Sequence, residues 1–327
     1  MRSTGSPSWI ERLTGLGPVA LPPFAFGLSR RELRVAAFSP EAEGRTLVEL
    51  QSVPLAEGLF GTGAIGAPAV DVAALEASLR TLLSRLAKAP REAALVLPDA
   101  WARGMMIDGA DFPDDPTARR EMLRFRLKRL VPFRTDELRV EASKIGDGVA
   151  EGERSAERAL VTFANDPLCT QLEELFSRCG VRLGWISGAT AAIFAGLPAV
   201  ADRVVGLARV ENEGFTLVLA ADGEPTVWRQ KSFTEGLADA DRERLLGAEF
   251  RLTRAFLAER AGSRPLSTIY LAAPRAVEPF WSRVLEEGFG RPASRLVPGD
   301  LGVDVDLSGE GVHELLPLAG AVGREVR

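Results

Sequence analysis

Cysteine and histidine are scarce in this chain, which has two cysteines and one histidine among 327 residues. Two cysteines cannot build a disulfide framework or a cysteine metal cluster. Cys169 and Cys179 fall at different angles on one predicted helix, and we expect them to pack as small apolar residues. His313 lacks the partner residues of a zinc site or a serine triad. We therefore predict no metal site.

Long apolar runs are missing as well. No segment approaches the ~18 consecutive apolar residues that a membrane-spanning helix needs, so we expect a cytoplasmic protein. Residues 1–22 are expected to form a flexible leader in which Trp9, Ile10 and Leu13 could make a small amphipathic contact. The net charge of -5 argues against a broad nucleic-acid-binding surface.

The residues that are present indicate an ordinary α/β protein. Hydrophobic residues make up 46% of the chain and charged residues 26%, and the length favours two lobes over one compact domain. Strand and helix patterns alternate along the sequence. We predict strands at residues 25–38, 45–53, 93–97, 103–107, 138–145, 159–163, 182–186, 204–210, 215–220, 226–229 and 268–272, and helices at 71–90, 114–130, 168–179, 246–262, 280–285 and 315–322.

The segment from residue 114 to residue 141 contains a predicted basic helix that is followed by Pro132. Asp114 or Asp115 can cap this helix, and Pro116 fits its first turn. Pro132 is expected to end the helix, because the residue before a proline avoids the α region. Leucines form one apolar stripe, namely Leu123, Leu127 and Leu130. Basic residues cover much of the remaining surface: Arg119, Arg120, Arg124, Arg126, Lys128 and Arg129. Such a face is usually only solvated, and the alternative is a docking face for an acidic partner or a membrane surface.

The step from Leu130 through Val131-Pro132-Phe133 to the acidic pair Asp136-Glu137 and Leu138 resembles the type IV pilus assembly protein PilM family. The resemblance implies a cytoplasmic protein with the two-lobed, α/β actin-like fold. It implies a first lobe at residues 23–200, with a small α/β subdomain inserted at about 93–163. The second lobe is then expected at 201–327, with Asp222-Gly223 as a hairpin turn.

The resemblance also locates the first of three turns that cradle a nucleotide in actin-like proteins. The family's first hairpin begins with an aspartate and ends with a lysine, and here Ala25 and Glu32 take those two places. Gly27 and Ser29 lie between them and keep the family's residue types. The exchange of lysine for glutamate reverses a charge beside a tetra-anionic ligand.

The other two turns are altered together with the first. In the second hairpin, Arg209 replaces an aspartate and Glu211 replaces the glycine that faces the phosphates. A guanidinium has no acceptor and cannot bind Mg²⁺. In the third turn, the family's two glycines are replaced by Ala273 and Pro274. We expect no nucleotide cofactor, and an active ATP-binding protein, either an ATPase or a small-molecule kinase, remains the alternative.

Other motifs fail when their surroundings are considered. Residues 61–66 match G-x-G-x-x-G, but Pro68 intervenes before any helix, so we predict a hairpin loop. A calcium-loop pattern at 304–309 has Leu315 where a glutamate is needed, and alternation of Val303, Val305 and Leu307 favours a strand. Caps and a solvated turn explain the acidic run Asp108, Asp111, Asp114 and Asp115.

The function that the resemblance implies is a catalytically silent scaffold of a type IV pilus or related type II secretion assembly. Its partners would be the cytoplasmic tail of a bitopic PilN-like protein and other assembly components, which would hold it peripherally at the inner membrane. The tail is expected in a cleft between the first lobe and the inserted subdomain. Candidate contacts are Arg103, Met105, Ile107, Arg120, Arg124 and Phe125. An FtsA-like filament former is a third hypothesis, but residues 318–327 are too short and small-sided for a membrane-targeting helix.

Overall fold

Four β-sheets and seven helices make up the described part of the chain. The computed structural model describes residues 22–41, 44–61, 68–109, 112–132, 134–145, 158–211, 214–233, 239–260, 264–305 and 312–322. The strands are β1 Phe24–Leu28, β2 Glu32–Glu41, β3 Gly44–Pro54, β4 Phe60–Gly61, β5 Ala69–Val70, β6 Glu92–Leu97, β7 Ala102–Asp108, β8 Leu138–Ile145, β9 Arg158–Asn165, β10 Arg182–Gly188, β11 Val204–Glu211, β12 Gly214–Ala221, β13 Glu224–Ser232, β14 Leu266–Ala272, β15 Ala293–Arg295 and β16 Val303–Asp304. The helices are α1 Val72–Ser84, α2 Pro116–Leu127, α3 Asp166–Arg178, α4 Ala189–Gly196, α5 Asp239–Arg260, α6 Glu278–Phe289 and α7 Val312–Val322, and a 3-10 turn spans Pro298–Leu301.

The first lobe is built on a six-stranded sheet in the order β10-β6-β1-β2-β3-β16. β1, β2 and β3 form an antiparallel meander, while β6 runs parallel to both β1 and β10. Helix α1 begins where Asp71 accepts a hydrogen bond from the Ala74 N–H, and its buried Leu75, Leu79 and Leu82 keep the helical spacing seen in the sequence. α1 and α3 share one apolar core with this sheet.

The second lobe is built on a five-stranded sheet in the order β13-β12-β11-β14-β15. The predicted turn joins β12 to β13, with φ angles of 54° at Asp222 and 83° at Gly223. Both angles lie in the left-handed region that such hairpin turns require. α5 and α6 cover this sheet through an apolar core that includes Phe250, Trp281 and Leu285.

A separate three-stranded antiparallel sheet, β7-β9-β8, forms the inserted subdomain together with α2. β6 belongs to the six-stranded sheet, so the inserted unit begins at Ala102 and not near residue 93 as we expected from the sequence. Its core includes Ile107, Leu123 and Leu138. The subdomain also contacts the second lobe: a Cβ added to Gly104 in β7 would lie 2.5 Å from the Trp228 ring in β13.

The end of the chain returns to the first lobe. β16 pairs in parallel with β3, and α7 packs against α4 and β1. A Cβ added to Gly27 in β1 would lie 3.1 Å from Leu318 of α7. The expected second lobe of 201–327 is therefore too long, because β16 and α7 complete the first lobe.

The basic helix has the predicted start but a shorter end. Asp115 is the cap, and its carboxylate accepts a 2.7 Å hydrogen bond from the Ala118 N–H. The helix ends at Leu127, so Leu130 lies beyond it and is 53% exposed instead of continuing the apolar stripe.

Some of the remaining sequence predictions concern residues that the structure describes only in part. β4 and β5 pair around the G-x-G-x-x-G segment, as a hairpin requires. β16 contains Val303, while the expected continuation to Leu307 falls outside the described residues. The leader at 1–21, Asp111, Phe133 and the end of the chain from 323 also lie outside them.

The two cysteines pack differently: Cys179 is half-buried at the edge of the first-lobe core. Cys169 is buried, and burial raises the pKa of its thiol to about 11.

No helix in the described part of the chain is long and apolar enough to cross a membrane. Among the described residues, no three His, Cys, Asp or Glu side chains gather where they could hold a metal ion.

Candidate functional site

Asp99 is the centre of a buried polar cluster between the two lobes. It follows β6, at the carboxyl end of that strand, and it is only 5% exposed. Its Oδ1 accepts a 2.8 Å hydrogen bond from the Thr190 N–H near the start of α4. Its Oδ2 accepts hydrogen bonds from the Thr190 hydroxyl and, at 2.9 Å, from the Thr216 hydroxyl in the second lobe.

The second lobe presents a row of three side chains to Asp99. Arg209 of β11, Thr216 of β12 and Gln230 of β13 are cross-strand neighbours in register. The Arg209 Nη1 lies 3.5 Å from the Asp99 Oδ2, and the Gln230 amide donates to the Asp99 carbonyl oxygen. Since the three residues are in register, one face of the sheet aims all of them at the end of β6.

Glu211 completes the cluster. It lies two residues after Arg209, so both side chains point to the same face of β11. Its carboxylate forms an ion pair with Arg209 and accepts a 3.1 Å hydrogen bond from the Asp99 N–H. We call Asp99, Thr190, Arg209, Glu211, Thr216 and Gln230 the Asp99 cluster.

Burial and neighbouring charge act in opposite directions on the ionisable groups of the Asp99 cluster. Burial lowers the pKa of Arg209, but the carboxylates of Glu211 and Asp99 outweigh it and leave the pKa above its ordinary value. Burial raises the pKa of Glu211, and Asp99 adds to this effect against the opposing charge of Arg209. The guanidinium therefore stays charged and holds two acidic groups together.

The predicted first nucleotide hairpin is occupied by internal contacts. Ala25 is fully buried, and Leu318 lies against the Cα of Gly27. The Ser29 hydroxyl accepts a 3.1 Å hydrogen bond from the Glu32 N–H at the hairpin tip. The Glu32 carboxylate pairs with Arg34 at 2.6 Å.

The predicted third turn follows β14. Ala273 is 5% exposed and packs in the core of the second lobe. The Pro274 carbonyl accepts a 3.0 Å hydrogen bond from the Val277 N–H just before α6. The residues of this turn thus build the start of a helix.

The carboxylates of this region are engaged within the chain. Mg²⁺ prefers carboxylate oxygens as ligands, and the carboxylates of Asp99 and Glu211 are both held by donors of the chain. Glu211 is the residue that the sequence resemblance aligns with a phosphate-facing glycine, and Asn212 and Glu213 of this hairpin lie outside the described residues.

The helix of the inserted subdomain carries the other candidate surface. The Phe125 side chain is 69% exposed, although it is a large apolar residue. On the same helix, Arg120 forms a 2.9 Å ion pair with Glu141 of β8. Arg124 donates a 2.7 Å hydrogen bond from its Nε to the Leu138 carbonyl. We call Arg120, Arg124 and Phe125 the α2 surface.

The candidate residues of β7 are half-buried or buried, whereas Arg120 and Phe125 of the α2 surface are exposed and Arg124 is half-buried. Arg103 is half-buried, burial lowers its pKa, and its Nε donates to the Ala100 carbonyl at 3.3 Å. Met105 is half-buried against the subdomain core, and Ile107 lies inside that core with 6% exposure. Arg120 and Phe125 are therefore the candidate residues most exposed to solvent.

Sequence reasoning missed four members of the Asp99 cluster: Asp99, Thr190, Thr216 and Gln230. One signal was present, since Asp99 is a charged residue directly after the buried strand Glu92–Leu97, and ligand sites of α/β proteins lie at the carboxyl ends of parallel strands. The helix that contains Thr190 was not predicted. It is hydrophobic all round, so it shows no amphipathic period.

Solved structures share this arrangement of sheets and helices. A chain of the PilM-PilN type IV pilus biogenesis complex is similar over 93% of this chain and 97% of its own length, with a TM-score of 0.63 and 18% sequence identity. A Bacteroides thetaiotaomicron protein with an actin-like ATPase fold is similar over 91% and 96%, with a TM-score of 0.50 and 10% identity. The chain has the actin-like fold.

The predicted α/β, two-lobed fold class is thereby confirmed. The cytoplasmic domain of EpsL, an inner-membrane component of the type II secretion system of Vibrio cholerae, is similar over 91% of this chain and 94% of its own, with a TM-score of 0.45 and 10% identity. No family model and no curated protein matches the sequence.

Proposed function

We propose that this chain is a non-catalytic scaffold of a type IV pilus assembly, or of a related type II secretion assembly, and that it binds the cytoplasmic tail of a PilN-like protein. The observation that carries the proposal is the similarity of nearly the whole chain to a protein of the PilM-PilN complex. The proposal includes a cytoplasmic position at the inner membrane, where the partner would hold the chain peripherally.

The α2 surface supports a docking role for the inserted subdomain. Exposed phenylalanine is a common anchor of protein interfaces, and arginine is enriched there as well. Phe125 lies on a helix with four arginines and one glutamate, so this side of the subdomain carries more positive than negative charge. A short tail with apolar and acidic residues suits this combination.

The interlobe geometry supports the non-catalytic part of the proposal. Arg209 stands at a position where actin-like nucleotide sites have an aspartate, and it is paired with Asp99 and Glu211. A guanidinium cannot take over metal binding. We therefore propose that the chain does not hydrolyse ATP.

Peptide binding tests the partner. The N-terminal peptide of a PilN-like protein, labelled with a fluorophore, should raise its anisotropy when it is titrated with the intact chain. Phe125→Ser should weaken this binding by at least tenfold, since a central aromatic anchor contributes ~2 kcal/mol or more. Leu252→Ser is the matched control, because Leu252 is 63% exposed on the second lobe and should leave binding unchanged.

Three outcomes would count against the scaffold. The absence of any anisotropy change with the intact chain would remove the partner from the proposal. Equal losses of affinity in Phe125→Ser and Leu252→Ser would remove the α2 surface as the docking site. Release of phosphate from Mg-ATP by the purified chain would favour the active ATPase instead.

A further inference from the structure

The Asp99 cluster joins the two lobes and contains Arg209 and Glu211, which the sequence resemblance aligns with the second nucleotide hairpin. We propose that this cluster replaces the magnesium nucleotide as the group that bridges the two lobes, so that the chain closes its own cleft and does not bind a nucleotide there. The inference concerns the interlobe cleft alone and is independent of the partner that the α2 surface binds.

The contacts of Asp99 run mainly across the cleft. Asp99 belongs to the first lobe, and it is contacted by the side chains of four residues of the second lobe: Arg209, Glu211, Thr216 and Gln230. These residues come from β11, β12 and β13, three adjacent strands. A bridge from three strands fixes both the distance and the orientation of one lobe relative to the other.

The Asp99 carboxylate also occupies the kind of position that a phosphate takes in nucleotide sites. Backbone N–H groups at a helix N-terminus favour an anion, because they lack partners within the helix and lie at its positive end. In α4, the N-cap Gly188 offers no side-chain hydrogen bond, and the Thr190 N–H donates to Asp99 instead. An anion from the chain thus satisfies this helix end.

Charge and packing both oppose a nucleotide at this position. The cluster holds two carboxylates and one guanidinium, a net charge of about -1 when all are ionised, and like charges repel a phosphate tail strongly in a partly desolvated site. Metal binding would have to displace Arg209 from Asp99 and Glu211. Leu318 further fills the space against Gly27 of the first hairpin.

Thermal unfolding with and without nucleotide is the direct test. Mg-ATP at millimolar concentration should shift the unfolding temperature of the intact chain by less than about 1 °C. A ligand present at 100 times its Kd would raise that temperature by roughly 4 °C. A rise that grows with Mg-ATP concentration would overturn the proposal.

Asp99→Asn tests the bridge itself. Asparagine keeps the shape, but it has no charge for Arg209 and places an amide donor near the two threonine hydroxyls. The unfolding temperature should fall by about 5 °C or more, because one partner of a buried charged set is removed. Hydrogen exchange should accelerate at the Thr190 amide and also in β11 and β12. A defect confined to the first lobe would accelerate exchange at Thr190 alone.

Two further variants make the result decisive. Glu243→Gln breaks the 2.7 Å ion pair with Arg283 inside the second lobe and should leave exchange at Thr190 unchanged. Thr216→Val removes one donor to Asp99 with little change of volume, so it serves if Asp99→Asn does not fold. Unchanged exchange in β11 and β12 for both Asp99→Asn and Thr216→Val would show that Asp99 does not hold the lobes together.

Discussion

Glu211 is an acidic residue that is contacted from both lobes. It faces Arg209 on its own strand and the Asp99 main chain from the other lobe. Burial raises the pKa of its carboxyl from an ordinary value of 4.5, and the nearby Asp99 charge acts in the same direction. A raised pKa means that the folded chain binds the proton more tightly than the unfolded chain does.

The raised pKa predicts how the stability of the Glu211→Gln variant, relative to that of the wild type, depends on pH. In the wild type, the stabilisation linked to Glu211 is fully present below about pH 4.5 and is lost as the pH rises through the raised folded pKa. Glutamine does not titrate. The unfolding temperature of the variant minus that of the wild type should therefore become more positive between pH 4.5 and pH 8, as measured by scanning calorimetry.

Glu243→Gln provides a control of opposite sign. Its hydrogen bond to Arg283 lowers the pKa of Glu243, so the linked stabilisation appears above pH 4.5 and is lost in acid. The same temperature difference should become slightly more negative as the pH rises towards 4.5 and should stay nearly constant between pH 4.5 and pH 8. Parallel pH trends in the two variants would contradict the assignment of Glu211 as a carboxyl with a raised pKa.

Gly104 shows how a residue without a side chain sets the distance between two parts of the molecule. The Trp228 ring lies where a Cβ on Gly104 would be, at 2.5 Å from its Cε2. Gly104→Ala should cost roughly 1–3 kcal/mol of unfolding free energy by overpacking, measured by urea denaturation. Gly299→Ala is the control, since nothing lies within 4 Å of its added Cβ. Equal stability of the two variants would mean that β7 and β13 are not in close contact.

At the scale of elements, the start of α2 depends on one of two adjacent aspartates. Asp115 caps the helix through the Ala118 N–H. Asp115→Ala should lower the free energy of unfolding by about 1 kcal/mol, measured by urea denaturation, and should speed hydrogen exchange in the first turn of α2. Asp114→Ala should have little effect, since Asp114 does not cap the helix. The reverse order of the two variants would show that the cap is misassigned.

Local patterns were sufficient to predict most elements but not the cleft. The spacing of Leu75, Leu79 and Leu82 indicated a core helix, and Asp222-Gly223 indicated the hairpin turn between β12 and β13. Both signals could be read because they depend on only a few neighbouring residues. The partners of Asp99 lie 91 to 131 residues away in sequence. A contact between residues so far apart in sequence produces no periodic pattern. The alignment of Arg209, Thr216 and Gln230 could therefore be seen only once the strand register was known.

At the scale of the molecule, the C-terminal helix packs far from its neighbours in sequence. Leu318 is 1% exposed and lies against Gly27. Leu318→Ala should cost about 2–5 kcal/mol of unfolding free energy, because it leaves a cavity in the first lobe, as measured by urea denaturation. Leu252→Ala is the control, since Leu252 is 63% exposed. A loss below 1 kcal/mol in Leu318→Ala would contradict the close packing of α7 on β1.

The return of β16 and α7 to the first sheet has a consequence for the order of folding during synthesis. The second lobe uses a continuous stretch of chain from β11 to β15, so it can fold as soon as that stretch has left the ribosome. The first lobe begins at β1 but cannot be completed until α7 has been synthesised. Contacts between segments so far apart in sequence form slowly. The half that is synthesised first would be the half that is completed last.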